Sequence, residues 1–449
     1  MRFLDQFRGS AAAGLLGLLP WAGVEAAAAE AADNHWPAWR GPRGDGIAVK
    51  GQPPVEWSET KNVKWKIALP GKGTSTPVVW KDLVFILAAI PKAASPEASP
   101  DSPSAADGVA AMVDSSAGVQ QFVVLAYDRA SGRESWRRVV REQKPHEGHH
   151  RDHGYASASP VTDGETLVAH FGSFGTYGLD FTGKVLWETD LGDMQTRNSF
   201  GEGSSPALKG NTVVILWDHE GDDFIVALDK RNGRELWRQT RDEPTGWSTP
   251  FVVEHQGKSQ VVVNGTRKVR SYDLESGRLL WECAGQTVNS IPTPVTANGI
   301  VYVTSGFRGS ALQAIRLDRS GDLSGTDAIV WSRNRNTPYV PSPLWYGGLL
   351  HVFSGNNAML TLLDAATGEV RVDAERLEGL MGVYASPVGA DGRVYLLGRD
   401  GGALVIKNAA PLEILAKNRL DDGFDASPAV VGNELFLRGR QSLYCLAAD

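Results

Sequence analysis

Hydrophobic positions in this 449-residue chain fall in short runs that alternate with polar ones, the two-residue period of a half-buried strand. Each run follows the same punctuation. The unit reads Ser/Thr-(x)-Pro, an apolar stretch, a Gly or Asn turn, and an alternating strand. It is written as TSTPVVWKDLVFIL, GSSPALKGNTVVILW, IPTPVTANGIVYV and DASPAVVGNELFLR, with four further versions between them. The prolines are Pro77, Pro160, Pro206, Pro250, Pro294, Pro343, Pro387 and Pro428. By subtraction the first interval is 83 residues and the other six lie between 41 and 49. Residues 88–121 explain the long one. They contain KAASPEASPDSPSAADG, too rich in Ala, Ser and Pro to bury much, so a disordered loop is expected there. It interrupts LVFILAA and FVVLAYD, which read as neighbouring strands of one unit.

A second element follows each Ser/Thr-Pro: an Asp, a short polar turn, a Gly and a Trp. ALDKRNGRELW at 227–237 and AYDRASGRESW at 126–136 are its clearest copies. Its tryptophans are Trp136, Trp187, Trp237, Trp281 and Trp331. Later units lose the ring, with Val372 and then Leu415 in its place. The eighth unit ends without such a strand. One strand of that type, NVKWKIALP with Trp65, lies unused near the other end. Units of roughly 45 residues with four short strands match propeller blades, which bury their faces only by stacking in a ring. The expectation is an all-β, eight-bladed β-propeller whose last blade is closed by the N-terminal strand. Asp229 should bond backbone N–H groups in its turn, and Gly233 should take a left-handed backbone angle. Trp237 supplies a large apolar area, and Ala227 is small enough for a neighbouring blade's ring to lie against it.

Composition adds limits. Fifty Gly and fourteen Trp suit many tight turns with large rings between strands. A net charge of -7 with no Lys/Arg stripe gives no reason to expect nucleic acid. Arg2 and Arg8, the short apolar stretch SAAAGLLGLLPWAGV and the small residues after it read as a signal peptide over 1–32. A leader then occupies 33–54 and the propeller 55–449. No membrane span is expected after cleavage, so the mature protein is expected to be an exported monomer, periplasmic or extracellular.

The Asp-turn-Gly-Trp pattern at 126–136 and 227–237, kept in SYDLESGRLLW and shortened in GLDFTGKVLW, resembles the tryptophan-docking repeat of pyrroloquinoline-quinone (PQQ) propellers. WPAWRGPRGDG at 36–46 is similar to the leader of exported bacterial members of that family. The family includes quinoprotein alcohol dehydrogenases and non-enzymatic scaffolds of outer-membrane β-barrel assembly. The resemblance implies that its enzymes hold PQQ between a Trp floor and a disulfide of adjacent cysteines, beside a Ca²⁺ ion. This chain has two cysteines, Cys283 in blade four and Cys445 in blade eight. Opposite blades lie far beyond the roughly 7 Å limit for a disulfide, so both are expected free.

Candidate chemistry gathers where the chain crosses from an outer strand to the channel, just before each Ser/Thr-Pro. Those loops carry Tyr155, Phe200, Trp247, Tyr339, Tyr384 and Phe424, interleaved with Glu202, Asn289 and Asp425. An aromatic-lined mouth with a few polar groups is a ligand or peptide site. A second candidate is HEGHHRDH, where His146, His149, His150 and His153 have the chemistry to hold Zn²⁺, Cu²⁺ or Ni²⁺. The Gly-rich stretches 172–178 and 305–311 read as strand turns. The expected function is non-enzymatic binding or scaffolding at the channel mouth, without a cofactor, toward an envelope protein, a peptide or a saccharide. The competing readings are a PQQ- and Ca²⁺-dependent oxidoreductase and a metal-dependent hydrolase at the histidine loop.

Overall fold

A computed structural model describes residues 34–92, 109–115 and 117–448. The expected signal peptide and residues 93–108 of the expected disordered loop lie outside the described residues. The strands form eight four-stranded antiparallel blades. Blade one is Val78–Trp80, Leu83–Pro91, Gln120–Asp128 and Glu134–Gln143. Blade three, a typical unit, is Ala207–Lys209, Thr212–Trp217, Phe224–Asp229 and Glu235–Thr240. Blade eight takes its outer strand from the other end of the chain. Val63–Ala68 pairs antiparallel with Ser442–Ala447 and sets Trp65 opposite Cys445. The ring therefore closes as the leftover strand requires.

Both repeated motifs hold blades together. In five of the eight blades the Trp indole donates to the residue after the next blade's turn Asp. Trp65 reaches Arg129 O, Trp136 reaches Phe181 O, Trp187 reaches Lys230 O, Trp237 reaches Leu274 O and Trp331 reaches Ala365 O, at 2.6–3.0 Å. The next turn's Gly is needed for this contact. Gly233 has φ +70°, and a Cβ there would lie 2.5 Å from the Trp187 ring. Asp229 accepts from Arg231 N at 2.9 Å, as its place in the turn predicts. Every blade has a β-bulge at the same level, such as Ala227/Leu228 beside Trp237. A bulge adds local twist and re-aims the side chain beside it.

Three expectations need correction. The small residue faces its own blade's ring: Ala227 pairs with Trp237, and Gly178 has Trp187 so close that no Cβ fits. In blade seven the Trp position is Ala416, opposite Val405, and Leu415 points to solvent, because the preceding turn is longer. Residues 88–121 are not one loop. Ala88–Pro91 and Gln120–Gln121 extend the strand pair, and Val113–Asp114 pairs with His149–His150. Cross-strand bonding runs up to Lys92 and Val119, just short of the segment dense in Pro and Ser. Trp281 also departs from the pattern. Blade five's turn is enlarged, its Gly321–Asp322 adds in parallel to blade four's outer edge, and the Trp281 indole bonds Gln260 Oε1 within its own blade.

The Ser/Thr before each Pro forms a ring around the axis. Thr76 N donates to Ser159 Oγ, Ser159 N to Ser205 Oγ, Ser205 N to Thr249 Oγ1 and Thr249 N to Thr293 Oγ1. Thr293, Ser342 and Ser386 continue the series to Ser427 Oγ. All seven bonds are 2.9–3.1 Å. Thr76 Oγ1, at the closing seam, is buried without a partner. Each hydroxyl satisfies the preceding blade's buried amide, which explains why the motif recurs.

The leader fills the channel beneath this ring. Trp36 is fully buried and exchanges two backbone bonds with Val79 of blade one. Thr162 N of blade two donates to Pro37 O. Ile47–Ala48 adds in parallel to the inner strand of blade seven. Between them Arg40, 3% exposed, donates to Pro343 O and Pro387 O, the prolines of two repeats. Trp39 Nε1 bonds Ser427 Oγ.

Candidate binding site

The outer-to-inner crossings and the turns between second and third strands meet at one face, above the Ser/Thr ring. They enclose a cavity of about 660 Å³. Its floor includes Ser159, Ser205, Thr249 and Ser427 of the ring and Trp39 of the leader. Its walls bring together Phe200, Trp247, Tyr339 and Tyr384 with Asn289 and Asp425. These are six of the nine side chains that the sequence places at the mouth.

The other three lie elsewhere. Phe424 is fully buried and meets Tyr444 edge-on at 6.1 Å, in the core of blade eight. Its neighbour Asp425 takes the rim position, held by Arg399 at 2.6 Å and Arg440 at 2.9 Å, so Phe424 turns inward. Tyr155 and Glu202 line a small separate cavity between blades two and three, with Trp247 in the wall between the two. Tyr155 donates to Glu147 O at 3.1 Å. Glu202 accepts from Ser173 N and Ser173 Oγ, yet burial pushes its carboxyl up to about 7.

The histidine loop does not converge on one point. Among the described residues no group of three His, Cys, Asp or Glu side chains is arranged to hold a metal ion. Each ring is tied separately. His146 bonds Met194 O, His149 bonds the His150 carbonyl, and His153 bonds Gly154 O and Ser157 Oγ. His150 accepts from Asp152 N and stands edge-on to Phe200 at 5.0 Å, in the cavity wall. Burial pushes His153 down to about 4, which keeps it neutral. The loop lacks the helical register that would set ligand spacing, and its backbone groups claim the ring nitrogens first.

An ionic network spans the mouth. Arg399 lies over the Tyr384 ring at 3.9 Å and pairs with Asp152 at 3.2 Å and Asp425 at 2.6 Å. Tyr384 donates to Asp152 at 3.1 Å. Burial works against the Asp152 carboxylate, but Arg399 prevails and holds it below its ordinary range. The opposite wall holds residues that the sequence reading missed. Phe307 stacks on Tyr339 at 4.8 Å, and Arg308 sits 5.4 Å from the Phe307 ring. Both come from the turn at 305–311, which its glycines mark in the sequence as a strand turn. Its aromatic residue was the available signal. Asn198, Ser199, Asn289 and Arg308 all have positive φ, and strained backbone of this kind gathers where a loop is shaped for contact.

Among the described residues no helix is long and apolar enough to cross a membrane. Cys283 and Cys445 are free and buried, and burial pushes the Cys283 thiol up to about 11. Among solved structures, BamB from Moraxella catarrhalis matches with a TM-score of 0.54 at 14% identity, covering 85% of this chain and 98% of that one. The quinohemoprotein alcohol dehydrogenase from Comamonas testosteroni matches with a TM-score of 0.63 at 11% identity, covering 94% and 82%. Identities this low show a shared fold alone. Outer membrane protein assembly factor BamB of Shewanella oneidensis is 24% identical over 269 residues, 56% of this chain. The matched part spans 60% of that relative's length. The sequence model for outer membrane protein assembly factor BamB matches residues 47–221 and 221–449, nearly the whole ring, and the chain belongs to that family.

Proposed function

We propose that this protein is an exported binding propeller that holds a segment of an envelope protein in the cavity at its channel mouth. The observation that carries the reading is the cavity itself: Phe200, Trp247, Phe307, Tyr339 and Tyr384 surround about 660 Å³ on loops fixed by a rigid ring. Aromatic anchors on rigid elements contribute most of the affinity in protein recognition, since little side-chain freedom is lost on contact. The family's name, an outer membrane protein assembly factor, supports an envelope partner.

The cysteines and the acidic and histidine side chains of this chain favour that reading over a quinone site. Its cysteine pair has no counterpart, because Cys283 and Cys445 are free and buried in separate blades. Its Ca²⁺ ion gains no support either, since no three His, Cys, Asp or Glu side chains converge among the described residues.

A displayed random-peptide library, selected on the purified protein, tests the proposal. Selected peptides should lose at least tenfold in affinity when Trp247 and Tyr339 are both changed to Ala. A Leu236→Ser change on the outer rim should leave them unaffected. Peptides indifferent to the Trp247 and Tyr339 changes would place recognition elsewhere. PQQ and Ca²⁺ that stay bound through gel filtration, with a dye reduced when an alcohol or sugar is supplied as electron donor, would replace the reading with an oxidoreductase.

A further inference from the structure

The mouth cavity is not electrically even. Its lining carboxylates, Asp152 and Asp425, are both matched by Arg399, and Asp425 also by Arg440. On the opposite wall stand two guanidinium groups with no ion pair among the described residues. Arg197 is partly buried, and among the described residues its side chain bonds Asn289 Oδ1 alone, at 3.5 Å. Arg308 is exposed over Phe307. The two belong to one surface. Arg197 touches Asn289, and the turn carrying Arg308 packs through Gly309 against Thr287, two residues before Asn289. Arg308 holds a left-handed backbone angle, φ 50°, that costs free energy without any compensating contact to a carboxylate. The whole chain carries -7, so an acidic ligand is repelled everywhere except where positive charge is in local excess.

We infer that Arg197 and Arg308 form an anion-reading wall, and that the segment bound here carries carboxylates next to aromatic or apolar side chains. The inference rests on the peptide-binding reading above and narrows it. A guanidinium presents a planar fork of N–H donors that matches a carboxylate in two-pronged geometry. The stacked Phe307 and Tyr339 beside it would take the adjoining apolar side chain. A saccharide fits less well. Sugar hydroxyls need acceptors as well as rings, and the two carboxylates of the cavity are already engaged by Arg399.

The test uses the full chain and three labelled, N-acetylated peptides read by fluorescence anisotropy. One is Phe-Asp-Phe-Asp-Phe amide, one is Phe-Asn-Phe-Asn-Phe amide, and one is the Asn peptide with a free C-terminal acid. The Asp peptide should bind at least tenfold more tightly than its Asn amide counterpart, roughly the value of one charge-assisted contact. That preference should shrink with added salt. It should vanish in the Arg197→Gln, Arg308→Gln double variant and persist in the Arg197→Lys, Arg308→Lys one, which keeps the charge. A free-acid peptide that gains as much as the Asp peptide assigns the wall to a chain terminus. A gain for the Asp peptide alone assigns it to side chains. Equal binding of the Asp and Asn amides, or a preference surviving the Gln variant, overturns the inference and leaves the peptide site standing. If the Gln variant does not fold, the native protein decides: equal salt dependence for the two amides overturns the inference. Failure of all three peptides overturns the peptide site as well. Dextran sulfate that binds through these arginines when the peptides do not would assign them to a polyanion, against the proposal.

Discussion

A buried amide needs an acceptor, and the Ser/Thr ring supplies one from the neighbouring blade at each step. Ser205→Ala removes the acceptor of Ser159 N, a bond of 2.9 Å. Leaving that amide unsatisfied should cost about 1–3 kcal/mol, measurable as a lower urea midpoint. Thr76→Val is the matched control. Thr76 Oγ1 is buried with no partner, so the change should be neutral or stabilising. Equal destabilisation by both would show that the ring is incidental. The tryptophans act on the same scale. Trp187→Phe gives up the bond to Lys230 O and opens space against Gly233, for an expected loss of about 1–3 kcal/mol by the same assay.

Two elements join distant parts of the chain: the closing strand Val63–Ala68 and the leader below the cavity floor. They should fail differently. Without Val63–Ala68, Ser442–Ala447 becomes an exposed edge and the packing of Trp65 on Gly132 is lost. A chain lacking residues 55–69 should therefore lose its single cooperative melting transition. Arg40→Ala acts locally. It frees Pro343 O and Pro387 O from their donor, and hydrogen exchange should rise in residues 36–48 well before it rises in blade three. Uniform exchange across the molecule would show that the leader is no separate unit. The seam is also where the Ser/Thr ring is incomplete. Cys445 lies there and Cys283 lies across the ring. In sub-denaturing urea a thiol reagent should reach Cys445 before Cys283, and the reverse order would move the weak point away from the seam.

Over the whole molecule, buried ionisable groups set the pH response. Burial pushes His153, His170 and His351 down from 6.5 to about 4 each. They are neutral when folded and take up protons when unfolded. Their contribution is full above about pH 6.5 and lost as pH falls toward 4. Glu202 works in the opposite direction. Its folded value is raised to about 7, so its contribution is full below 4.5 and lost as pH rises to 7. Burial likewise raises Asp218 to about 6, so it too loses its contribution as pH rises through that window. Three histidines still outnumber these two carboxylates, so the melting temperature should rise from pH 4.5 to 6.5. Glu202→Gln should steepen that rise. A flat profile in the variant would mean that these histidines are solvated.

The repeat was open to reading because each blade solves the same local problem with the same residues. A turn needs Asp229 and Gly233, an outer strand needs Trp237, and eight Ser/Thr-Pro steps count the blades. Trp65 stood without a blade in the sequence, and only closure gives it one. Four rings of the mouth were also legible, since they occupy one place in the repeat. Phe424 was not, because the choice between rim and core was made by the ion pairs of Asp425 with Arg399 and Arg440, residues of two other turns. Phe307 and Arg308 escaped for a related reason: they reach the same mouth from a different turn of the blade. The leader gave no sign that it would thread the channel. Period and turn chemistry are local and repeat along the chain, so the sequence by itself determined the blades, their number and their closure. Which side chains face the cavity, and with what charge left over, depends on pairings between blades far apart in sequence, and only the tertiary structure decided those.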